Sequence, residues 1–434
     1  MAKKKNKAKR KIWLEVEMPD KAQDWTKSGR KAICNDRSSR RSLDHELRKV
    51  TAQGPWKWPK RRIFFFSDLH ADADAFIGSL IMSGGVEKTG PGDGDLRLTK
   101  AGRAGLFIIG GDCFDKGPSS LRLLRVVKTL RDLGARLKIL AGNHDVRMLL
   151  GARAVATRKD PRNEHFFVRM GPKMVPFLNE VWELYLKDGK KLRDVPGARE
   201  CRRLLYPSKS WFKTFLFHAS WAMPDQTVER ELKRMRRKMG QFEQVCEDAG
   251  LSIRMVYAAA MKWRELFLSK NGEFAWFFGD MDLIHREGSF LFLHAGLDDR
   301  IARLIEEKGL KKLNKMFHAQ VHGDPFDFYY GPLANMIRTK YRPVDMPLTR
   351  YGAGLIHGMG IHAVVHGHLN LLHGQRIMLR RGIVNFECDA TLDRNTRRKE
   401  GLSGIGAAAT VIEPGKRVIG ISNDCAYRKV FEPS

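Results

Sequence analysis

What this 434-residue chain lacks narrows its class before any motif is read. Its six cysteines, Cys34, Cys113, Cys201, Cys246, Cys388 and Cys425, form no CxxC pair and no zinc-ribbon spacing. That argues against a disulfide framework and fits reduced thiols in a cytoplasmic protein. No stretch approaches the roughly 18 uninterrupted apolar residues of a membrane span. After the basic start, "IWLEVEMPD" places acids where a secretion signal needs an apolar run. The GxxxxGK[ST] phosphate loop is absent, and "GPGDGD" at 90–95 has too few of the neighbours such a cradle needs, so it reads as a mobile loop. No internal repeat is present. Acidic residues are also scarce: 49 Asp and Glu face 79 Lys and Arg, a net charge of +30. Residues 1–60 alone hold 18 basic against 7 acidic residues. Such a balance concentrates anionic partners near the protein, whether phosphates, nucleic acid or acidic proteins.

The length exceeds that of a usual single domain, so one domain with an insertion, or two domains, is expected. Residues 1–60 read as a basic, partly disordered N-terminal arm closed by the linker "PWKWP", with nucleic-acid binding as its sharper reading. Residues 61–150 alternate β-rich and helical stretches, the pattern of βαβ units around a buried sheet. Residues 151–288 read as a helical insertion, in which Leu232, Met235, Met239, Phe242 and Cys246 recur at helical spacing. Arg230, Lys233, Arg234, Arg236, Arg237 and Lys238 lie opposite, as a solvated face or as a basic wall beside an anionic substrate. β-type runs return over 289–434, including the expected hairpin "AAATVIEPGKRVIGIS".

Five of the β-like runs each end on a residue able to bind metal or carry a proton. "RRIFFFSDLH" ends with Asp68 and His70, "GLFIIGGD" with Asp112, and "RLKILAGNHD" with Asn143 and His144. "SFLFLHAG" ends with His294, and "IHAVVHGH" with His366 and His368. In an α/β sheet the loops leaving the strand ends converge, so sites assemble there. Carboxylate, amide and imidazole donors without thiolate suit divalent manganese, iron or zinc. Two such ions about 3.5 to 4 Å apart can clamp the oxygens of a phosphoryl displacement and hold a deprotonated water. A carboxylate must bridge them, and Asp112 is assigned that place.

"SDLH", "GDCFDKG", "GNHD", "LHAG" and "HGH", in this order, resemble the metallophosphoesterase (calcineurin-like) superfamily, in particular its bacterial serine/threonine phosphoprotein phosphatase branch. The likeness spans residues 63–150 and 289–430. It implies a four-layer α/β/β/α sandwich carrying the helical insertion, and a metal-dependent phosphatase cleaving phosphate monoesters through a hydroxide held by two metals, manganese first, with iron or zinc as alternatives. By the same resemblance Asp68, His70 and Asp112 hold the first metal, and Asp112, Asn143, His294 and His368 the second. Asp115 orients His144, and a carboxylate there favours the imidazolium, which then protonates the leaving oxygen. Lys116 stands where the family has arginine, replacing a bidentate fork by a point charge. Arg338, with Arg342 nearby, is the further phosphate-binding candidate beside Lys116 and Asn143.

Three departures and look-alikes bear on this assignment. Ala71 replaces the usual glycine of the first motif, so a different backbone turn is expected there. Asn370 replaces the second histidine of the nuclease-type GHxH, which favours the phosphoprotein phosphatase branch. His218 in "TFLFHAS" follows an apolar run much as His294 does and is the alternative ligand. Asp72 and Asp74 suit the first turn of the following helix, and His366 suits a core position or a donor behind the ligands. Two other functions share these residues: a phosphoesterase acting on nucleotides, dinucleotide polyphosphates or nucleic-acid ends, and a nucleic-acid-binding protein with an inactive phosphatase core.

Overall fold

The computed structural model describes residues 17–36, 43–155, 160–187, 192–221 and 225–433. In chain order the first strands are β1 (Lys21–Asp24), β2 (Ile33–Asn35), β3 (Ile63–Phe66), β4 (Val86–Lys88) and β5 (Leu96–Leu98). Then come β6 (Leu106–Ile109), β7 (Leu137–Leu140), β8 (Met281–Asp282), β9 (His285–Glu287), β10 (Phe290–Phe292) and β11 (Ala363–His366). The chain closes with β12 (Arg376–Arg380), β13 (Ile383–Glu387), β14 (Ala408–Glu413), β15 (Arg417–Ser422) and β16 (Tyr427–Phe431). One sheet has eight strands in the order β1-β16-β15-β14-β3-β6-β7-β8, and a second has six in the order β2-β12-β13-β11-β10-β9.

The central strands β3 and β6 are apolar at every position because both of their faces are covered. Ile63 and Phe65 of β3 join Ile108, Phe292, Val365 and Phe386 in a core shared by the two sheets. The alternate residues Phe64 and Phe66 turn the other way, into a second core with Phe76, Leu80 and Leu124 from the helices Ala73–Met82 and Ser120–Asp132. Leu291 and Val364 of the other sheet share that second core with Ile301 and Ile356 of the helices Asp299–His322 and Arg350–Gly358. This is a mixed α/β sandwich with helices outside both sheets.

Three expectations change on contact with the structure. Residues 1–16 and 37–42 of the basic arm lie outside the described residues, but the rest of 17–60 is built into the fold rather than disordered. β1 pairs with β16 and β2 with β12, both parallel. Trp25 is fully buried against Phe386, its indole N–H donating to Ala32 O at 3.0 Å. A few apolar residues in a polar stretch suffice when a sheet edge is available to receive them. The helical segment assigned to 151–288 also contains β8 and β9, which belong to the two large sheets. "GPGDGD" is the turn between β4 and β5, tied by Asp95, whose carboxylate accepts from Gly92 N at 2.7 Å. The expected hairpin forms between β14 and β15, from Ala408 opposite Ser422 to Glu413 opposite Arg417.

The helical segment is docked on the part of the fold that carries the motifs. Helix Ile253–Leu268 packs on helix Asn143–Ala154, where the tip of the Trp263 ring comes so close to Gly151 that a methyl group there would lie 2.9 Å from it. Glu180 reaches the start of helix Ser120–Asp132, accepting from Ser120 N at 3.0 Å and Leu121 N at 3.2 Å. A carboxylate at that end satisfies backbone donors the helix leaves unpaired.

Candidate metal centre and its cleft

β3, β6 and β7 are adjacent and parallel in one sheet, and β10 and β11 are adjacent and parallel in the other. Their C-terminal ends therefore open at one end of the sandwich, and the loops that leave them interlock. Asp68 N donates to Gly111 O at 3.0 Å and His70 N to Asp112 O at 2.9 Å. Gly367 N donates to His294 O at 2.9 Å, joining the loops of the second sheet. The turns are sharp. Asp68, His70, Ala71, Asp112, Asp115, Lys116 and His368 all have positive φ, between 42° and 72°, a conformation costly for residues with a Cβ. Ala71, at φ 56°, lies in the left-handed region that glycine enters without strain. Gly367 has no such latitude, because a Cβ there would lie 2.0 Å from Asp68 Oδ2.

Asp112 is the hub. Its Oδ2 lies 3.5 Å from His294 Nε2, 3.8 Å from His144 Nε2 and 3.9 Å from His70 Nε2. Asp68 Oδ1 is 3.7 Å from His70 Nε2. Donor atoms of His70, Asp112 and His144 gather within 4.8 Å of one another, as do those of Asp112, His294 and His368. Each histidine of the proposed ligand set is oriented by its other nitrogen: His70 Nδ1 to Phe114 O at 3.1 Å, His294 Nδ1 to Gly110 O at 2.8 Å, His368 Nε2 to Arg338 O at 3.2 Å. With a proton on each outer nitrogen, three lone pairs face the Asp112 carboxylate, an arrangement that calls for cations between them. Asn143 completes the second group, its side-chain amide 3.3 Å from His294 Nε2. These donors fit divalent metal in type, number and orientation.

The electrostatics of the pocket point the same way. Burial alone would lower the pKa of His294, yet the carboxylates of Asp112 and Asp68 push it up to about 10, so this pocket favours positive charge. Lys116 Nζ sits 2.7 Å from His70 Nε2. Burial works against its charge, and Asp389, Asp68 and Asp112 raise it all the same.

The acid pair of "GDCFDKG" separates in role. Asp112 faces His70 and His294, while Asp115 Oδ2 meets His144 Nδ1 at 2.9 Å. Burial would raise the Asp115 carboxyl, but the hydrogen bond and charge of His144, helped by Lys173 at 3.4 Å, hold it below the usual carboxylate range. His144 Nε2 is left facing the cleft beside Asp112.

Several assignments change. Arg338 does not line the cleft: Nη1 donates to Tyr329 O at 2.7 Å and the guanidinium lies over the Tyr329 ring at 5.6 Å. A buried ring face and a carbonyl hold it there, and its own carbonyl orients His368. Arg342 pairs with Asp345 at 3.6 Å. The cation on the rim at this point of the chain is Lys340. His218 lies on helix Trp211–Ala219 beside Phe217, outside both metal-type groups, whereas His294 is fully buried at the centre. Asp72 caps helix Ala73–Met82 through Ala75 N at 3.2 Å and binds Arg394, which also pairs with Asp74. His366 is buried, its Nδ1 on Gly367 O at 3.0 Å and its Nε2 without a partner. On helix Asp225–Asp248, Met235 and Phe242 are buried as expected, while of the cations Lys238 turns inward to the carbonyl of Arg169.

Two carboxyls carry no assignment from the sequence. Asp145, directly after "GNH", accepts from Asp112 N at 2.7 Å, Cys113 N at 2.8 Å and Gly142 N at 3.1 Å, clamping the two loops together. Burial, then the charge of Asp112, pushes its pKa up to about 7. Asp389 lies two residues beyond β13, buried, with Oδ2 unpartnered and its pKa raised by burial and by Asp68. The strand-end criterion that found the other acids also applies to "IVNFECDA".

The cleft above these groups has a volume of about 640 Å3, and its lining includes Lys116, Lys173, Lys340, Arg376 and Arg380 as well as Asp68, Asp112, His144 and His368.

Comparison with known proteins sets this geometry in context. Residues 61–238 match the family model described as calcineurin-like phosphoesterase. No curated protein matches the chain. Among solved structures, it is similar to a cold-active protein-tyrosine phosphatase of a psychrophilic Shewanella species, at 15% identity and a TM-score of 0.41, over 88% of this chain and 84% of that one. It is also similar to a protein serine/threonine phosphatase from Saccharomyces cerevisiae, at 10% identity and a TM-score of 0.34, over 90% of this chain and 87% of that one. Among the described residues no helix is long and apolar enough to cross a membrane.

Proposed function

We propose that this chain, whose residues 61–238 match the calcineurin-like phosphoesterase family model, hydrolyses phosphate monoesters at two divalent metal ions, in the manner of the serine/threonine phosphoprotein phosphatases. The observation that carries the reading is Asp112: one carboxylate oxygen lies within 3.9 Å of His70, His144 and His294, and the residue belongs to both groups of metal-type donors. Asp68, His70 and Asp112 would hold one ion, and Asp112, Asn143, His294 and His368 the other. Bound there, such ions supply Lewis acidity to the phosphate oxygens and lower the pKa of water. Manganese is the first candidate, with iron or zinc as alternatives.

The chain's own residues supply the rest. Lys116 offers an ammonium to a phosphate oxygen, and the amide of Asn143 a further polar contact. His144, held by Asp115 at Nδ1, presents Nε2 to the leaving group and protonates the departing oxygen; the 2.9 Å contact and the buried carboxylate support this division of labour. Asp145 and Asp389 act behind these groups, the first by fixing the Asp112 and Gly142 loops, the second by balancing Lys116. Every ligand position retains a competent residue, which favours an active enzyme over a spent core.

The test is metal content together with phosphate release from p-nitrophenyl phosphate. Stoichiometric metal and metal-dependent turnover are expected in the native protein, with both sharply reduced in Asp112→Asn. Normal turnover in Asp112→Asn would end the reading.

A further inference from the structure

Beside the proposed metal positions the cleft has an unbalanced side. Lys116 is opposed by Asp389 and Asp68, and Lys173 by Asp115. Arg376 and Arg380, four residues apart on β12, share one fully buried carboxylate, Glu387. Arg376 Nε donates to Glu387 Oε2 at 2.6 Å, and Arg380 Nη2 to Oε1. Lys340 has no carboxylate partner among the described residues, and its charge is felt at His368. Arg376 and Arg380 thus share a single carboxylate, and Lys340 adds a third cation to the lining of the cleft.

Arg380 is the most telling. Its side chain is 9% exposed, its guanidinium is held over the Tyr341 ring at 4.1 Å, and its Nε donor is buried without a partner. A buried donor left unpaired is costly, and a ligand oxygen would relieve that cost. A guanidinium fixed in plane is also the group best suited to the oxygens of a phosphate. A volume of about 640 Å3 falls in the range of small-molecule sites.

We propose that Arg376, Arg380 and Lys340 form a second phosphate subsite, so that the preferred substrate is a small condensed phosphate whose terminal phosphoryl lies at the metal positions and whose neighbouring phosphate lies on these cations. The proposal rests on the metal-site reading above and shifts the preferred bond from a monoester to the terminal anhydride of a condensed phosphate. In the reaction, water oxygen bonds to the terminal phosphorus and gives up one proton, which in the end replaces the one His144 donates, and the bond from that phosphorus to the bridging oxygen breaks. The departing phosphate chain keeps the electron pair, and the proton it takes comes from His144.

Calorimetry on the manganese-loaded protein tests the subsite without turnover, using imidodiphosphate, whose P–N–P bridge resists hydrolysis, against orthophosphate. The native protein should bind imidodiphosphate at least about tenfold more tightly, and Lys340→Glu and Arg376→Gln should each bring the two ligands within about threefold. The ratio of kcat/KM for tripolyphosphate to that for p-nitrophenyl phosphate should fall about tenfold in both variants. Equal binding of the two ligands by the native protein overturns the subsite, as does greater kcat/KM for an acidic phosphopeptide than for tripolyphosphate. Tight imidodiphosphate binding that depends on Lys340, with no hydrolysis of any ester, would sustain the subsite and overturn the phosphatase reading.

Discussion

At the scale of single residues, the site is a set of side chains each held by a second contact. His144 is the clearest case, since Asp115 fixes one ring nitrogen and leaves the other beside Asp112. A proton donor matters most when the leaving group is a poor one. His144→Asn should therefore lower kcat by about 10² to 10⁴ on an alkyl phosphate, and by much less on p-nitrophenyl phosphate, whose leaving group departs unprotonated. Equal losses on both substrates would assign His144 to binding instead. The residues readable from the sequence were those at strand ends inside short motifs, such as Asp68 and His294. Arg338 was not readable, because the direction of its guanidinium depends on Tyr329, nine residues away and on another element.

At the scale of elements, the helical segment supports the motif loops as well as adding bulk. Glu180, from helix Val175–Tyr185, caps helix Ser120–Asp132, which follows directly on the loop bearing Asp112, Asp115 and Lys116. Its side chain also accepts from Ser119 Oγ. Glu180→Ala leaves these donors without that acceptor and should cost about 1 to 2 kcal/mol of stability. Urea denaturation should show the loss as a lower midpoint with an unchanged slope. An unchanged midpoint would mean that water replaces the carboxylate at no cost. The sequence marked this segment as helical through its periodicity, but no local pattern told that Glu180 would reach a helix start 60 residues earlier.

For the whole molecule, the junction between the helical segment and the sandwich carries buried charge with a defined pH response. Burial, with Arg169 and Arg147, pushes Lys238 down to about 7. Tyr329 is also held at about 7: burial opposes ionisation, and Arg169, Arg147 and Arg338 outweigh it. The unfolded chain keeps both protons until about pH 10, whereas the folded protein releases them above 7. The unfolded state thus binds more protons between pH 7 and 10, and stability rises with pH across that window. The burden of a charged Lys238 is full below pH 7 and disappears toward pH 10. The contribution of the Tyr329 phenolate is complete above about pH 10 and is lost as pH falls through 7. Each group can add at most about 1.4 kcal/mol per pH unit. Thermal denaturation should give a higher Tm at pH 9 than at pH 7, and the difference should shrink in the double variant Lys238→Met, Tyr329→Phe. An undiminished difference would assign the trend to the relief of general charge repulsion in a chain of net charge +30.

The sequence by itself determined the strand-and-loop grammar of this protein. Apolar runs that end in Asp, His or Asn specify buried strands with polar ends, because both halves of that pattern are local. Only the tertiary structure decided which ends meet, that His294 and not His218 joins them, and that Trp25 and Ile33 draw part of a basic segment into the sheets. It alone also set Arg376 and Arg380 on Glu387 in a cleft that Lys340 lines as well. These outcomes depend on contacts between residues far apart in the chain, where burial, sheet edges and charge balance are properties of the assembled molecule and not of any segment.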